Sequence, residues 1–402
     1  MKKLLHTCIQ LFCAFTLVSA SHAQWSSIPS LSGGQIANDG AAAFSFGTKG
    51  YIVAGATAND MYVYDTVTNM WTNDGPVPAA MGHAFSMFFS LNGKGYVVGG
   101  DTSGVPVSTV FRYDPANTTN PWTQLNDFGG GIRDAGFAVV INDTAYVGSG
   151  FDGAAMHSDL WRYDDANDAW VQVTASLPTA LIFPASFVID NKAYVLSGGT
   201  TGGVNETNQM WQFNSATQSW IPKASYPGSA RQAALAFSND SYGYFGGGMA
   251  GYTTNYYNMF RYNPDSNTWS AAGNMPLFGA AWASVFTIGN NAYAGLGAKF
   301  VGSALNGLDS FYKYSMQVPT GINKVAGAQQ VAIYPNPVSD QLHLSIPLAA
   351  TFEATIYDLV GKIISRGTVH QRAINVKDLA PGSYILQLKN GDGVLYAKFI
   401  KE

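Results

Sequence analysis

Apolar and aromatic residues recur along most of the chain with a period of about fifty residues. In each period, a tyrosine precedes small residues and glycine, and an aromatic pair at alternate positions follows, as in Tyr62 and Tyr64. Alternation with a period of two indicates a β-strand. The six anchor tyrosines lie 45, 50, 48, 50 and 49 residues apart: Tyr51, Tyr96, Tyr146, Tyr194, Tyr244 and Tyr293. A tryptophan follows the first five aromatic pairs: Trp71, Trp122, Trp170, Trp220 and Trp269.

Each repeat is predicted to hold four strands. An apolar segment such as 84–91 comes first, and a turn at 92–95 leads into the tyrosine strand. The aromatic pair forms the third strand and the tryptophan the fourth. Asp65 and its equivalents follow the aromatic pair, where they cap the next turn by bonding their own backbone. Four-stranded sheets repeated around an axis form a β-propeller, so the predicted class is all-β.

The glycine pair, the aromatic-x-tyrosine-aspartate pattern and the tryptophan together resemble kelch repeats. The resemblance covers residues 25–314, and the six tyrosine anchors and six aromatic pairs predict six blades. The last aromatic pair ends at Tyr314 with no tryptophan after it, yet Trp25 lies one period before Trp71. We therefore predict that Trp25 supplies the outer strand of the last blade, which satisfies edges otherwise open to aggregation. The alternative places Trp25 in a loose tail.

A second β-pattern follows a small, polar segment, 317–330, that is typical of a linker. About seven short strands separated by glycine turns indicate a small antiparallel sandwich. Four segments resemble the type A sorting domain of the type IX secretion system: 334–337 (YPNP), 356–362 (IYDLVGK), 379–386 (LAPGSYIL) and 398–401 (KFIK). The resemblance implies recognition by the type IX machinery after periplasmic transit, with the protein left on the surface or released. The alternative is a generic carbohydrate-binding or immunoglobulin-like sandwich.

The first 23 residues are typical of a secretory signal peptide. Lys2 and Lys3 precede an apolar run, 4–18, and Ala23 and Gln24 flank the predicted cleavage point. The run is shorter than the roughly 20 residues of a membrane span, which disfavours a transmembrane anchor. A lipoprotein is rejected because Cys13 lies too early. The predicted organisation is a signal peptide (1–23), a propeller (24–316), a linker (317–330) and a sorting domain (331–402).

The charge balance and the residue composition exclude several classes of binding partner and structure. The chain has 25 acidic and 21 basic residues, and residues 24–320 hold 19 acidic and 11 basic ones. An acidic body disfavours nucleic acid and anionic membranes, because both attract positive charge. Aromatic residues make up 13% of the chain and charged residues 11%, a balance that excludes bulk disorder. Both cysteines lie within the first 13 residues, so downstream disulfides and thiolate metal sites are excluded.

Acid–base residues are scarce in the predicted propeller, which contains His83, His157 and Glu206. We expect no metal and no cofactor, since ligating His and carboxylate groups would have to converge. Segment 164–168 approaches a calcium loop but falls where each repeat has its turn. Among kelch-like enzymes, a copper oxidase is excluded because it needs a cysteine, and sialidase Asp boxes are absent. An exported N-acetylneuraminate epimerase stays open.

The candidate site is a column of residues 13 positions before each anchor tyrosine, which we expect to ring the channel mouth. Arg133 and Arg231 are candidates to bind a carboxylate such as that of an acidic sugar. Trp282, two positions beyond the column, is a candidate to stack on a sugar. The favoured alternative is that these polar residues bond neighbouring blade loops. The column reads Asn38, His83, Arg133, Leu181, Arg231 and Ala280.

Two hypotheses for function remain. The first is a binding module that presents loops such as 248–258, rich in Tyr and Asn, to a glycan or protein ligand. The second is a carbohydrate-active enzyme resembling N-acetylneuraminate epimerase. The shortage of acid–base residues favours the binding module.

Overall fold

The computed structural model describes thirteen stretches of the chain, in which every regular element is a β-strand. Residues 1–23, including Ala23 of the predicted cleavage site, and Asn38 lie outside the described residues. No helix long and apolar enough to cross a membrane occurs in the described stretches. These are 24–31, 40–53, 55, 59–200, 205–276, 279–302, 304–316, 329–331, 333–344, 351–358, 362–369, 373–390 and 393–402.

Six four-stranded antiparallel sheets occupy the described residues from Trp25 to Ser315. We call them blades 1 to 6 and give their strands from the innermost outward. Blade 1 is Ala42–Phe46, Lys49–Val53, Asp60–Asp65 and Met70–Pro76; blade 2 is Met87–Leu91, Lys94–Val98, Val110–Tyr113 and Trp122–Leu125; blade 3 is Phe137–Ile141, Thr144–Gly148, Leu160–Asp164 and Ala169–Val173. Blade 4 is Ala185–Ile189, Lys192–Leu196, Met210–Asn214 and Ser219–Lys223; blade 5 is Leu235–Ser238, Gly243–Gly246, Asn258–Asn263 and Thr268–Asn274; blade 6 is Ser284–Ile288, Asn291–Gly295, Phe311–Ser315 and Trp25–Ile28.

The innermost strands of consecutive blades are neighbours, and that of blade 6 neighbours that of blade 1, so the blades form a closed ring. The outer strand of blade 6 is Trp25–Ile28, which pairs antiparallel with Phe311–Ser315 and sets Trp25 opposite Tyr314. The predicted closure by the Trp25 segment is therefore confirmed. Both ends of the ring-forming chain share one sheet, and its edge strand is paired.

Aromatic side chains fill the space between and within the blades. The anchor tyrosine Tyr96 stacks on Phe89 with 4.7 Å between ring centroids, and Tyr244 on Phe237 at 5.3 Å. In every blade the outer-strand tryptophan contacts the second aromatic of the third strand. The centroid distances are 4.8 Å for Trp25–Tyr314, 5.0 Å for Trp71–Tyr64, 5.1 Å for Trp122–Tyr113, 4.8 Å for Trp170–Tyr163, 5.1 Å for Trp220–Phe213 and 5.0 Å for Trp269–Tyr262.

Local chemistry matches the predicted turns. The Asp65 carboxylate accepts a hydrogen bond from the Val67 amide at 2.8 Å, and Asn214 caps the equivalent turn of blade 4 through the Ala216 amide at 3.0 Å. Gly95 shows why a repeat needs a small residue before its tyrosine. A Cβ there would lie 2.5 Å from the Phe44 ring of the preceding blade.

The C-terminal described residues form two sheets with a shared apolar core. Leu342 and Leu344 of the smaller sheet and Leu386 and Phe399 of the larger one are fully buried in that core. The predicted sandwich is present, with one parallel pair where Gln329–Gln330 meets the last strand. The larger sheet runs Gln329–Gln330, Gly393–Lys401, Gly382–Asn390, Phe352–Asp358 and Ile363–Val369; the smaller runs Ile333–Tyr334, Gln341–Leu344 and Ala373–Asn375.

Candidate functional site at the channel mouth

One end of the propeller, here called the loop face, carries two kinds of connection. These join the second strand of a blade to the third, and the outer strand to the inner strand of the next blade. Short hairpins extend three of the former: Asp101–Thr102 with Val105–Pro106, Met249–Ala250 with Thr254–Asn255, and Ala298–Val301 with Ala304–Gly307.

A closed circle of six backbone hydrogen bonds rims the channel at the loop face. One residue just before each inner strand donates its amide hydrogen to the carbonyl of its equivalent in the preceding blade. All six have positive φ, between 48° and 70°. The N···O distances are 3.0 Å for Gly40 to Trp282, 2.8 Å for Phe85 to Gly40, 2.9 Å for Ala135 to Phe85, 2.7 Å for Phe183 to Ala135, 3.1 Å for Ala233 to Phe183 and 3.0 Å for Trp282 to Ala233.

Large and small side chains alternate around this circle. Phe85, Phe183 and Trp282 occupy alternate blades, with glycine or alanine between them. Their ring centroids are 5.1 Å apart for the two phenylalanines and 5.7 Å from each phenylalanine to Trp282. Each ring is half-buried, so one surface of the trio is accessible. We call these three rings the aromatic floor, because they meet at the axis and fill the channel at the loop face.

Arg133, predicted at the mouth, lies instead inside the propeller with 1% of its surface exposed. Its Nη1 donates to Asp159 Oδ1 at 2.7 Å and to the Ser149 carbonyl at 2.9 Å, while Nη2 donates to Asp159 Oδ2 at 3.2 Å. The guanidinium thus pairs with a carboxylate of its own chain. Burial alone would raise the pKa of Asp159, but hydrogen bonds from Arg133 and Trp161 outweigh it and lower that pKa.

Arg231 is also turned away from the mouth and has no measurable exposure. Its Nη1 donates to Asn258 Oδ1 at 2.8 Å and to the Gly247 carbonyl at 3.1 Å. The guanidinium carbon lies 4.1 Å from the centroid of the Tyr256 ring, a cation–π arrangement. Burial lowers the pKa of this guanidinium. For both arginines, the prediction that they ring the mouth is wrong, because their donor groups satisfy buried carbonyls and polar side chains.

The predicted column lies between blades rather than around the channel. The Arg133 carbonyl accepts the Gly100 amide of the preceding blade at 2.8 Å, and the carbonyls of Leu181 and Ala280 accept equivalent glycine amides. These bonds explain why the position recurs: in each of these repeats its carbonyl accepts a hydrogen bond from a glycine of the preceding blade. His83 is half-buried, and its Nε2 is buried without a hydrogen-bond partner among the described residues.

Trp282, the remaining predicted residue, belongs to the aromatic floor. Its indole Nε1 is buried and has no hydrogen-bond partner in the described part of the chain. The Tyr252 ring lies 6.5 Å from Trp282, and beside it Glu206 Oε1 accepts from the Gly251 amide at 2.9 Å and from Gln232 Nε2 at 3.4 Å. Burial raises the pKa of Tyr252; the Gln232 hydrogen bond opposes this shift and the Glu206 charge adds to it. A carboxylate therefore stands beside the tryptophan edge of the floor.

Two further carboxylates flank the floor on the side of Phe85. Asp134 immediately precedes Ala135 of the backbone circle, and Asp101 pairs with the backbone of Ala84, which precedes Phe85. Burial, and then the charge of Asp101, raise the pKa of Asp134 to about 6. The loop face thus brings together acidic groups that are distant in sequence.

Apolar side chains project from the connections of the loop face. The exposed fraction is 61% for Val105, 57% for Val301 and 55% for Tyr257. Leu305 and Ile132 are also exposed. We call these five residues the apolar loop tips.

Below the floor, a channel cavity of about 220 Å³ is lined by small, aromatic and hydroxyl side chains. Ser45 Oγ donates to the Thr287 carbonyl at 2.7 Å and Ser238 Oγ to the Val188 carbonyl at 2.6 Å, so these hydroxyls join adjacent blades. No group of three His, Cys, Asp or Glu suited to a metal ion occurs among the described residues. Among the described residues, no charged side chain lines the cavity.

Sequence reasoning missed the backbone circle and the two phenylalanines of the floor. The signal was present: every member stands 11 residues before its anchor tyrosine, two positions beyond the column that was singled out. That spacing alone does not distinguish a residue facing the axis from one buried between blades. Glycine or alanine at three of the six positions indicates crowding at the axis.

Family models match both parts of the chain. The KLHDC2/KLHL20/DRC7 Kelch-repeats domain matches residues 133–294, and the Kelch motif matches 90–129. The secretion system C-terminal sorting domain matches residues 332–402. The fold and these matches define a kelch-repeat β-propeller. The chain also carries a type IX sorting domain, as its sequence resemblance implied.

Several curated proteins are similar to this chain. The Kelch-like protein terF of Aspergillus terreus (strain NIH 2624 / FGSC A1156) is 24% identical over 375 residues, 85% of this chain and 74% of that protein. The N-acetylneuraminate epimerase of Escherichia coli (strain K12) is 26% identical over 188 residues, and the alignment spans 46% of each protein. The chain thus spans about half the length of that epimerase.

The solved structure of YjhT is similar in fold. It superposes with a TM-score of 0.60 at 18% identity, covering 71% of this chain and 96% of that one. At this identity the likeness shows the propeller fold alone.

Proposed function

We propose that this chain is an exported kelch propeller that binds a glycan or protein ligand through its loop face. The observation that carries the proposal is the aromatic floor formed by Phe85, Phe183 and Trp282. The accessible parts of these half-buried rings offer an apolar contact surface to a ligand.

Export is the second part of the proposal. A signal peptide, 1–23, is removed between Ala23 and Gln24, and the propeller spans 24–316. A linker, predicted at 317–330, joins it to the sorting domain, 331–402, which engages the type IX machinery; the last two linker residues, Gln329–Gln330, pair with the larger sheet of that domain. The match of residues 332–402 to a sorting domain supports this route. The protein then resides on the outer-membrane surface or in the medium, without a transmembrane anchor.

Binding is favoured over catalysis by the shape and chemistry of the mouth. Small-molecule sites are typically concave cavities with a few convergent polar groups. Here the floor fills the channel at its loop end, and Arg133 and Arg231 are already bonded inside the propeller. The ligand therefore rests on a surface. No metal or cofactor is part of the proposal.

A binding screen on the full chain tests the proposal. We expect hits from a glycan array or a surface-protein panel to be retained by Val171→Ala, which alters an exposed outer-strand residue. They should be lost in Trp282→Ala. Alanine already occupies two equivalent positions of the backbone circle, so this variant should preserve the circle. Hits that survive Trp282→Ala with unchanged affinity would remove the floor from the binding site.

An acidic-sugar epimerase is the second candidate, favoured by the 26% identity to an N-acetylneuraminate epimerase. The assay is the interconversion of N-acetylneuraminate anomers, followed by NMR. We expect the rate with the protein to equal the spontaneous rate. A clear acceleration by the full chain, abolished in Trp282→Ala, would replace the binding proposal with catalysis at the same mouth.

A further inference from the structure

Carboxylates outnumber accessible cations around the aromatic floor. Glu206 lies by Tyr252 next to Trp282, and Asp101 and Asp134 flank the opposite side of the floor. Of the cations near this end, Arg133 and Arg231 point into the propeller with at most 1% exposure, and Lys299, on the Ala298–Val301 hairpin, is half-buried. His157 Nε2 lies 2.8 Å from Asp152 Oδ2, so this imidazole is already paired with a carboxylate of its own loop.

The excess of carboxylates beside the aromatic floor favours a positively charged ligand group over a negatively charged one. A carboxylate or phosphate approaching the floor meets like charge from three blades, whereas a cation meets opposite charge. Ammonium and guanidinium groups are also attracted to the faces of aromatic rings, with tryptophan the strongest partner. Hydrogen bonds from such a cation to a carboxylate are charge-assisted and short. The mouth therefore suits a positively charged group carried on an apolar stem.

The surroundings of the mouth indicate what carries that group. The apolar loop tips, among them Val105, Val301 and Leu305, lie on connections of the same face as these carboxylates, and several exposed apolar side chains on one face are typical of a protein interface. A glycan presents mainly hydroxyls and leaves such side chains without apolar partners. An extended protein segment can place a basic residue over the floor and apolar residues against the tips.

We propose that the loop face binds a partner protein through a protruding arginine or lysine side chain that lies on Trp282 and pairs with Glu206. This inference rests on the proposed binding function and narrows its ligand to a basic protein segment. The centre of the face provides the contact expected of an interface hot spot, where few residues carry most of the binding energy. The apolar loop tips then exclude water around it.

Peptides of one design test the charge requirement. The probes are acetylated, amidated Ala-Leu-X-Leu-Ala peptides in which X is Arg, Lys, Gln or Glu, titrated against the full chain by calorimetry. We expect the Arg and Lys peptides to bind about tenfold more tightly than the Gln peptide, the scale of one charge-assisted contact. The Glu peptide should bind weakest of the four.

Two variants locate the contact. Glu206→Gln keeps an acceptor oxygen for the Gly251 amide and removes only the charge, so it should abolish the preference for Arg over Gln. Asp143→Asn removes one charge from an exposed turn on the opposite end and should leave the preference unchanged. Unchanged thermal melting of both variants excludes unfolding as the cause.

Three outcomes would overturn the inference. The first is that all four peptides bind with equal affinity or that none of them binds. The others are tightest binding of the Glu peptide and a preference for Arg over Gln that persists in Glu206→Gln. In each case, screen hits that still depend on Trp282 leave the proposed binding function intact. Loss of that dependence would instead remove the binding function at this face. The two proposals therefore fail separately.

Discussion

The Tyr314 hydroxyl donates to the Gln24 side-chain carbonyl oxygen at 2.8 Å, joining residues 290 positions apart. The Trp25 ring packs on the same tyrosine with 4.8 Å between centroids. One residue pair thus marks the place where the two ends of the propeller chain meet in blade 6.

Trp25→Ala should destabilise the propeller by about 2–4 kcal/mol, because removal of a large aromatic ring from a packed site leaves a cavity. The variant also weakens the strand that closes the ring. Urea unfolding of the full chain measures the change. Ser26→Ala, at an exposed position of the same strand, is the matched control and should lie within about 0.5 kcal/mol of wild type. Equal stability of the two variants would show that closure does not depend on Trp25.

Arg133→Met should cost about 3–5 kcal/mol, since it leaves the half-buried Asp159 charge and two carbonyls without their donor. The double variant with Asp159→Asn should recover part of the loss. The contribution of Asp159 follows from its lowered pKa. The stability that ionised Asp159 contributes is present above the ordinary carboxyl pKa. It is lost as the pH falls through the lowered pKa that Asp159 has in the folded state. Unfolding at pH 7 and pH 3 tests both statements, and additive losses in the double variant would contradict the pairing.

Asp134→Asn should stabilise the protein at neutral pH. The folded pKa of about 6 lies above the ordinary value of 3.8, so the folded state binds the proton more tightly. Stability contributed by Asp134 is therefore full below pH 4 and is lost as pH rises through 6. The variant should gain up to about 2 kcal/mol at pH 8 and nothing at pH 4. A gain independent of pH would assign the effect to something other than ionisation.

Ala135→Val tests the backbone circle. Ala135 is buried at φ +52°, and a β-branched residue is strongly disfavoured in that conformation. The loss should be about 2 kcal/mol or more, whereas Ala135→Gly should be close to neutral. Ala138→Val places the same extra methyl groups on the inner strand without positive φ and is the control. Similar melting temperatures for the two valine variants would argue against strain at the circle.

The fold was largely predictable because its determinants are periodic and local. Aromatic pairs, turn-capping Asp or Asn and the outer tryptophan each recur once per repeat, and each forms the contact that its spacing predicts. The Trp25 closure followed from the same arithmetic. The loop hairpins, such as Ala298–Val301 with Ala304–Gly307, do not repeat and could not be placed from a periodic pattern.

The site was harder to predict because burial and facing direction depend on how blades pack together. Arg133 and Trp282 lie in equivalent segments of their repeats, yet one side chain is enclosed and the other faces the axis. Glu206 reaches Gly251 across two connections that share no sequence pattern. Such contacts arise from tertiary structure, and the repeat period carries no information about them.

The hydrogen-bonded circle uses only main-chain atoms, so it constrains its six members through their positive φ and the space at the axis rather than through side-chain bonds. Closure of the scaffold and choice of ligand are thereby separable during evolution and in engineering. Exchanging the residues at Phe85, Phe183 and Trp282 for other types that tolerate positive φ offers a route to propellers with new recognition surfaces on an unchanged frame.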